Sequence, residues 1–354
     1  MRVLVLGATG YVGSRLVPAL LEAGHDVVAA SSSPPDPDRF AWGGDVAWRQ
    51  CDVMDRRAVE RAVRDADGVC YLVHSLSRRD FADLDRLGAT HVRDAASAAG
   101  VRRIVYLSGL MPRLDRGQAL SPHLASRLEV ERLLADADCS TLSVRAGVVI
   151  GAGSTSFEVV RQVASVLLVQ PVPTWMRSSV QPVAVTDVVR ALVAAFEDGA
   201  PEGDVDLGGP DVIRYPQLLA AYARAARLPR VRVPALIAPI GVVGPATALL
   251  VGAPFRTVTA LVASLRHDMV ARPDHLWQVD DEPMLGVDEA LERAVGRSGP
   301  DVAEAPLPSN PTWTRMRAPI LDELHAPSFV RAGVSLALLR MADLRGVFRT
   351  GADP

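Results

Sequence analysis

The sequence predicts an α/β protein, a doubly wound parallel sheet with helices on both faces. Three observations carry that prediction. Apolar runs at residues 3–6, 26–30, 68–73 and 103–107 alternate with stretches of helical period, the order expected of strand–helix–strand crossovers. The first run is apolar at every position, as a strand buried on both faces must be. A glycine turn, Gly7, Gly10 and Gly13, then joins that run to a helix carrying Leu16, Leu20 and Leu21.

Each glycine of the turn has a physical task. Gly7 permits the sharp turn, Gly10 lets a pyrophosphate approach the backbone, and Gly13 lets helix and strand pack closely. The phosphates then sit at the helix N-terminus, where free N–H groups and the helix dipole favour an anion. A nucleoside-triphosphate loop is excluded, because Gly13 is followed by Ser14 and Arg15 rather than by Lys and Ser or Thr. The Gly-x-x-Gly-x-x-Gly spacing of GATGYVG, residues 7–13, resembles the short-chain dehydrogenase/reductase superfamily. Those words look like its extended and atypical branches, which include the NmrA-like and isoflavone-reductase-like proteins. The resemblance covers about residues 1–295 and implies a Rossmann-type fold that binds NAD(P). It also adds Thr9, Tyr11 and Val12 to the three glycines as coenzyme-binding residues.

The residues after the second strand, 26–30, decide coenzyme preference. An NAD site places Asp or Glu there to bond the ribose 2′-hydroxyl, whereas an NADP site avoids that charge and prefers an arginine. Here the strand runs into Ser31, Ser32 and Ser33, then Pro34 and Pro35. No acid repels a 2′-phosphate, and Ser31 and Ser32 offer it hydroxyls, so NADP(H) is favoured over NAD(H). The arginine is missing unless Arg15 or Arg39 folds back. The third strand, 46–50, exits through Cys51, Asp52 and Val53. The resemblance implies that Asp52 bonds the adenine amino group and that Val53 packs on the ring. Asp55 caps a helix over 56–64. The fourth strand, 68–73, ends at His74 and Ser75, and open α/β sheets bind ligands at the carboxyl ends of their strands. His74 is thereby placed near the coenzyme ribose or the substrate. A long helix, 83–99, ends at Gly100, a natural C-cap.

The fifth strand, 103–107, finishes in Ser108 and Gly109, and alternation puts Tyr106 and Ser108 on one face. Its YLSG resembles the superfamily's catalytic-serine strand, which implies that the Ser108 hydroxyl bonds the substrate carbonyl. The next helix, from about Ser121, reads SPHLASRLEVERLL. The superfamily carries Tyr-x-x-x-Lys here, and this chain has His123 and Arg127 in that register, with Glu131 four residues further. The i, i+4 offset keeps His123 and Arg127 on one helical face. Arginine holds its charge and can grip a ribose but cannot shuttle a proton at neutral pH. Histidine, with an unperturbed pKa of about 6.5, can act as acid or base.

The sixth strand, 140–149, leads into Gly151 and Gly153, and in extended relatives the chain after Arg145 lies against the nicotinamide and opens the substrate region. Resemblance continues through 181–188 and 205–215, where such relatives cross back to complete the sheet, with Asp187 in a structural role at a helix start. The organisation expected is a dinucleotide-binding domain over 1–150, completed by about 181–210, and a smaller, mostly helical substrate region over 151–180 and 211–297. Stretches 264–270 and 283–294 resemble a bacterial NmrA-like subgroup carrying the words LVHS, here 72–75. Arg224, Arg227, Arg230 and Arg232 read as a solvated helix face. The tail, 298–354, is rich in Pro, Ala and charge up to Pro327, and a last apolar helix, 329–348, is expected to pack on the substrate region or on a second copy of the chain, as in a homodimer.

Composition narrows the partners. The chain has 354 residues, 49% of them hydrophobic and 22% charged, the profile of an ordinary globular protein. A net charge of -3 provides no basic field, so no nucleic acid is expected. There is no lysine, so all 38 basic residues are arginine and Schiff-base chemistry is excluded. Cys51, Cys70 and Cys139 lie far apart, which reads as buried thiols in a reducing compartment rather than metal ligands or disulfides. The first strand begins at once, leaving no secretory leader, and a cytoplasmic location is expected. Residues 235–255 carry no charge over 21 positions, yet Pro239, Pro245 and Pro254 and three glycines interrupt them. Two short apolar helices or a lid over an apolar substrate are expected there, not a membrane span.

Together these features predict NAD(P)H-dependent reduction of a carbonyl, or of a conjugated C=C or imine, in a small apolar organic molecule. Ser108 would polarise the oxygen, His123 would supply the proton and Arg127 would hold the ribose. With the Tyr/Lys pair replaced, two other readings stay open: a non-redox coenzyme-sensing regulator, and a cyclase or isomerase on the same fold.

Overall fold

In the computed structural model, Val3 and Val5 pack into one hydrophobic cluster and Leu4 and Leu6 into another, on opposite faces of a sheet. That division is why the first strand has no polar position. The structure describes residues 1–114, 117–235, 239–296, 307–311 and 313. Through the first half of the chain run β1 (Arg2–Leu6), α1 (Gly13–Glu22), β2 (Asp26–Ser31), β3 (Ala47–Gln50), α2 (Arg56–Val63), β4 (Gly68–Tyr71), α3 (Phe81–Ala99), β5 (Arg103–Gly109), α4 (Pro122–Ala135) and β6 (Ser140–Ala146). Then come β7 (Val149–Ile150), α5 (Thr155–Val166), β8 (Val169–Pro173), β9 (Ser179–Val180), β10 (Val183–Ala184), α6 (Val185–Ala194), β11 (Gly203–Leu207), β12 (Ile213–Arg214), α7 (Tyr215–Ala225), β13 (Val231–Ala235), α8 (Ile240–Leu250), α9 (Phe255–Ser264) and α10 (Val287–Ala294).

Seven strands form one sheet in the order β11-β6-β5-β4-β1-β2-β3, and every neighbouring pair is parallel. The doubly wound sheet read from the sequence is therefore observed. Strand order reverses between β1 and β4, where crossovers leave for opposite sides, and a crevice opens at the carboxyl ends of the strands. α1 packs against α6 on one face, while α2, α3 and α4 lie side by side on the other. β11, supplied late in the chain, closes the edge beside β6. Beyond the sheet, α5, α7 and α10 build a third cluster around Phe157, Tyr222 and Leu291, and α8 and α9 build a fourth around Val251 and Val258.

Two strands end earlier than their apolar runs suggest. β4 stops at Tyr71 instead of Val73, because the chain swings away to where the Ser75 amide donates to Asp85 of α3 at 2.8 Å. β6 stops at Ala146 instead of Val149: a Cβ on Gly147 would stand 1.9 Å from the Gln181 carbonyl oxygen, and past that backbone crossing the chain pairs with β10 as β7. Among the described residues of 235–255 lies the helix α8, and a second apolar helix, α9, opens at Phe255 behind Pro254. Among the described residues no helix is long and apolar enough to cross a membrane. The expected helix over 329–348, and with it the homodimer contact, lies outside the described residues.

An ion-pair network ties the late strands to the sheet. Arg145 of β6 is buried against Glu131 of α4, donating from Nε at 3.0 Å and from Nη2, and its Nη1 lies 2.8 Å from Asp204 of β11. Arg272 donates to Asp206 of β11 from both Nε, at 2.9 Å, and Nη2, at 2.7 Å. Each buried charge has an opposite partner, the condition under which such groups are tolerated.

Candidate active site

At the turn after β1, Gly7 adopts φ +92°, a conformation that favours glycine. A Cβ on Gly13 would stand 2.2 Å from the Gly7 carbonyl oxygen, so the first turn of α1 rests directly on the strand end. No side chain caps that helix at Val12. Two first-turn amides donate within the turn, Ser14 N–H to the Gly10 carbonyl and Arg15 N–H to the Val12 carbonyl, each at 3.0 Å, and the helix dipole at the glycine turn favours an anion such as a pyrophosphate at this end.

From this turn a cavity of about 400 Å³ runs past the ends of β4, β5 and β6 into the space under α5 and α9. Gly7, Gly10, Tyr11, Val12 and Gly13 of the turn line it, as do His74, Ser108, His123 and Arg127. Four elements distant in sequence therefore converge: the turn, the exit of β4, the end of β5 and one face of α4. Further in, the wall is apolar, with Val159, Val160 and Val163 of α5, Trp175, Met176 and Leu265 among its residues. Arg127 is the one charged side chain among the described lining residues.

Ser108 is 5% exposed and its Oγ has no hydrogen-bond partner among the described residues. A buried hydroxyl without a partner is costly unless a ligand supplies one. Arg127 is fixed from behind: its Nη1 donates to the Leu107 carbonyl oxygen at 2.8 Å and to the Tyr106 hydroxyl at 3.5 Å. Burial raises the Tyr106 pKa, so that hydroxyl stays neutral beside the guanidinium.

The histidines depart from the expectation of a group titrating near neutrality. Burial and then the Arg127 charge lower the His123 pKa to about 3, with His74 adding to the effect. His74 is shifted downward in the same direction by the protein around it and by Arg127, but its own surface is exposed, so it is desolvated less completely than His123. Sequence reasoning assigned His123 its free-solution value because neither its sunken position nor the second histidine is visible along the chain. At neutral pH both rings are uncharged, and His123 holds no stored proton.

Asp85 of α3 positions this wall. Its carboxylate accepts from the Ser75 amide at 2.8 Å and from the Ser126 hydroxyl at 3.1 Å, joining the loop that bears His74 to the helix that bears His123 and Arg127. Burial pushes its pKa up, opposed by those two hydrogen bonds.

The other coenzyme residues expected from the sequence lie outside the cavity. Thr9 Oγ1 donates to Ser31 Oγ at 3.3 Å, and the Ser33 amide donates to the same oxygen at 3.2 Å. Ser32 is exposed at the end of β2, and its carbonyl accepts from Gln50 Nε2 at 3.2 Å. Asp52 is exposed and its Oδ1 accepts from the Met54 amide at 2.9 Å. The Val53 side chain is buried in the cluster beneath α2 and α3. Arg15 is engaged elsewhere: it lies 4.1 Å over the Tyr11 ring and donates to the Tyr11 carbonyl at 2.9 Å and to Asn310 Oδ1 at 3.1 Å. Arg39 donates to the Pro308 carbonyl at 3.0 Å.

Sequence reasoning missed Gln170, Asp85 and the valines of α5. The stripe Val159, Val160, Val163 and Leu167, at helical spacing, was the available signal for the apolar wall.

A model of the NAD dependent epimerase/dehydratase family matches residues 3–208. A 3-diazoavenalumate denitrifying reductase from Streptomyces sp is 34% identical over 275 residues, which cover 68% of this chain and 86% of that protein. An uncharacterised protein from Mycobacterium tuberculosis is 29% identical over 227 residues, 63% of this chain; the match spans only 23% of that relative's length. Among solved structures, the Thermus thermophilus UDP-glucose 4-epimerase complex with NAD is 20% identical with a TM-score of 0.54, covering 75% of this chain and 99% of its own. That likeness is one of fold.

Proposed function

Because the chain belongs to the NAD dependent epimerase/dehydratase family, we propose that it is an NAD(P)H-dependent reductase acting on a carbonyl, or a conjugated C=C or imine, of a small, largely apolar molecule. One observation carries the reading. The cavity joins a dinucleotide cradle to an apolar chamber, and at the junction stand an unpartnered hydroxyl, Ser108, and a guanidinium, Arg127. A relative named as a reductase supports hydride transfer. A nucleotide-sugar substrate would ask for several cations around its diphosphate, and the described lining offers one. The NmrA-like placement belongs to the same proposal, supported by the LVHS stretch at 72–75.

In this reading the N-terminus of α1 and the turn with Gly7, Thr9, Gly10, Tyr11, Val12 and Gly13 hold the pyrophosphate. Asp52 stands at the adenine end, with the Val53 side chain buried in the core behind it, and His74 and Arg127 hold the nicotinamide ribose. The end of β2 presents the exposed Ser32, beside a buried Ser31, and no carboxylate, which favours NADP(H) over NAD(H). The bound coenzyme supplies the hydride. Ser108 donates to the acceptor oxygen, and Arg127 places positive charge beside the oxyanion as it forms. His123 takes up a proton from solvent as negative charge grows next to it, and passes that proton to the oxygen.

The test is coenzyme consumption. Purified protein with NADPH and a panel of aryl and alkyl aldehydes, ketones and enones is expected to lose dihydronicotinamide absorbance in step with product. A second reading, supported by the family's own description, is an isomerase or dehydratase that returns its coenzyme unchanged. It predicts product without net loss of absorbance. A coenzyme-sensing regulator predicts binding with neither product nor consumption.

The pH profile is set by the lowered histidine pKa values. With His123 near 3, its ring is neutral in the free enzyme above pH 5. Hence kcat/KM is expected to stay level from pH 8 to 5 and to change only as pH falls toward 4. A loss centred near pH 6.5 as pH rises would instead mark a histidine of ordinary pKa acting as a stored acid.

A further inference from the structure

β8 alternates outside to inside: Val169 is 55% exposed, Gln170 is 1% exposed and Pro171 is exposed again. Gln170 is thus turned inward, and it lines the apolar chamber together with Val163, Leu167, Trp175 and Met176. Both its amide atoms, Nε2 and Oε1, are buried and have no hydrogen-bond partner among the described residues. A carboxamide in such a wall is an expensive choice, since any aliphatic residue would fill the space without unmet hydrogen bonds. An amide offers one donor and one acceptor side by side in a plane. The group that satisfies both at once is another planar donor–acceptor pair. Arg127, the one charge in the described lining, donates to the Leu107 carbonyl and has no hydrogen bond to Gln170, whose amide pairs best with a neutral group.

We infer that Gln170 is a specificity-determining residue, and that the ligand of this chamber carries on its apolar body a neutral primary amide or lactam, which Gln170 takes up through two parallel hydrogen bonds. The inference rests on the reading that this chamber receives the substrate. Ser108 meets the reacting group and Gln170 the amide, so two polar marks at different points of an apolar cavity fix the ligand's orientation.

The experiment compares 3-phenylpropanamide with 4-phenylbutan-2-one, which replaces the amide NH2 by a methyl group of the same shape, by calorimetry with the full chain and NADP+ present. The wild type is expected to bind the amide about five- to tenfold more tightly, the value of one hydrogen bond left unmade by the ketone. In Gln170→Met the ratio is expected to fall to about one, through weaker amide binding, while the thermal midpoint is unchanged or higher. A wild-type ratio near one, a ratio that survives Gln170→Met, or absence of binding by both probes overturns the inference. Should Gln170→Met not fold, the wild-type ratio decides alone. Since the readout is binding, an amide preference without NADPH consumption on the carbonyl panel overturns the reductase reading and leaves Gln170 standing; turnover without the preference does the reverse.

Discussion

Ser108→Ala is expected to lower kcat for carbonyl reduction by about 10²–10³-fold, the usual cost of losing one donor to a developing oxyanion. Its thermal midpoint is expected to stay level or rise slightly. The two halves of this prediction come from one observation: Ser108 Oγ is buried and unpartnered among the described residues. Removing a hydroxyl that stabilises nothing in the free protein cannot cost much stability, and it relieves a desolvated polar group. A structural serine would behave oppositely, losing stability and, through it, some activity. Parallel measurement of kcat, KM and the melting curve on wild type and variant separates them, and a fall in the midpoint with unchanged kcat would remove Ser108 from the chemistry.

Gly13→Ala is expected to abolish coenzyme binding and to destabilise the fold by about 1–3 kcal/mol, the range for forcing a methyl group into a packed site. The added carbon would stand 2.2 Å from the Gly7 carbonyl oxygen and 2.8 Å from the Ala8 Cα, both backbone atoms that move only with the strand. Lifting α1 off β1 carries the helix N-terminus away from the position proposed for the pyrophosphate. Gly44→Ala is the control, since a Cβ there meets nothing within 4 Å. Equal coenzyme affinity in wild type and Gly13→Ala would mean that the turn is not the cradle.

The features legible in the sequence were local or periodic. β1, the glycine turn and α1 are contiguous, and the all-apolar run Val3 to Leu6 reports burial on both faces without help from the rest of the chain. The overrun at β4 shows where such reading fails. Leu72 extends the apolar run, but it lines the cavity instead of continuing the strand, and apolarity alone does not distinguish the two uses. His123 and Arg127 were found together because four residues on a helix is a fixed geometry. The His123 pKa was not, because besides Arg127 it depends on burial and on His74 arriving from the loop after β4. Gln170 looks in sequence like one polar residue in a β-run, and its unmet hydrogen bonds exist only once α5 and the segment bearing Trp175 close around it. The contact of Ser309 with Ser14, Oγ to Oγ at 2.6 Å, joins residues too far apart in the chain for any pattern to pair them.

Every role assigned to the site depends on a dinucleotide whose phosphates rest on the Gly7 to Gly13 turn and whose nicotinamide enters the cavity beside Ser108. Titration of NADPH with the protein, with dihydronicotinamide fluorescence as the readout, tests this most directly. The expected result is emission that intensifies and shifts to shorter wavelength as the ring leaves water for an apolar wall, saturating at one coenzyme per chain and absent in Gly13→Ala. Emission unchanged by excess wild-type protein, with NADPH and with NADH alike, would contradict it.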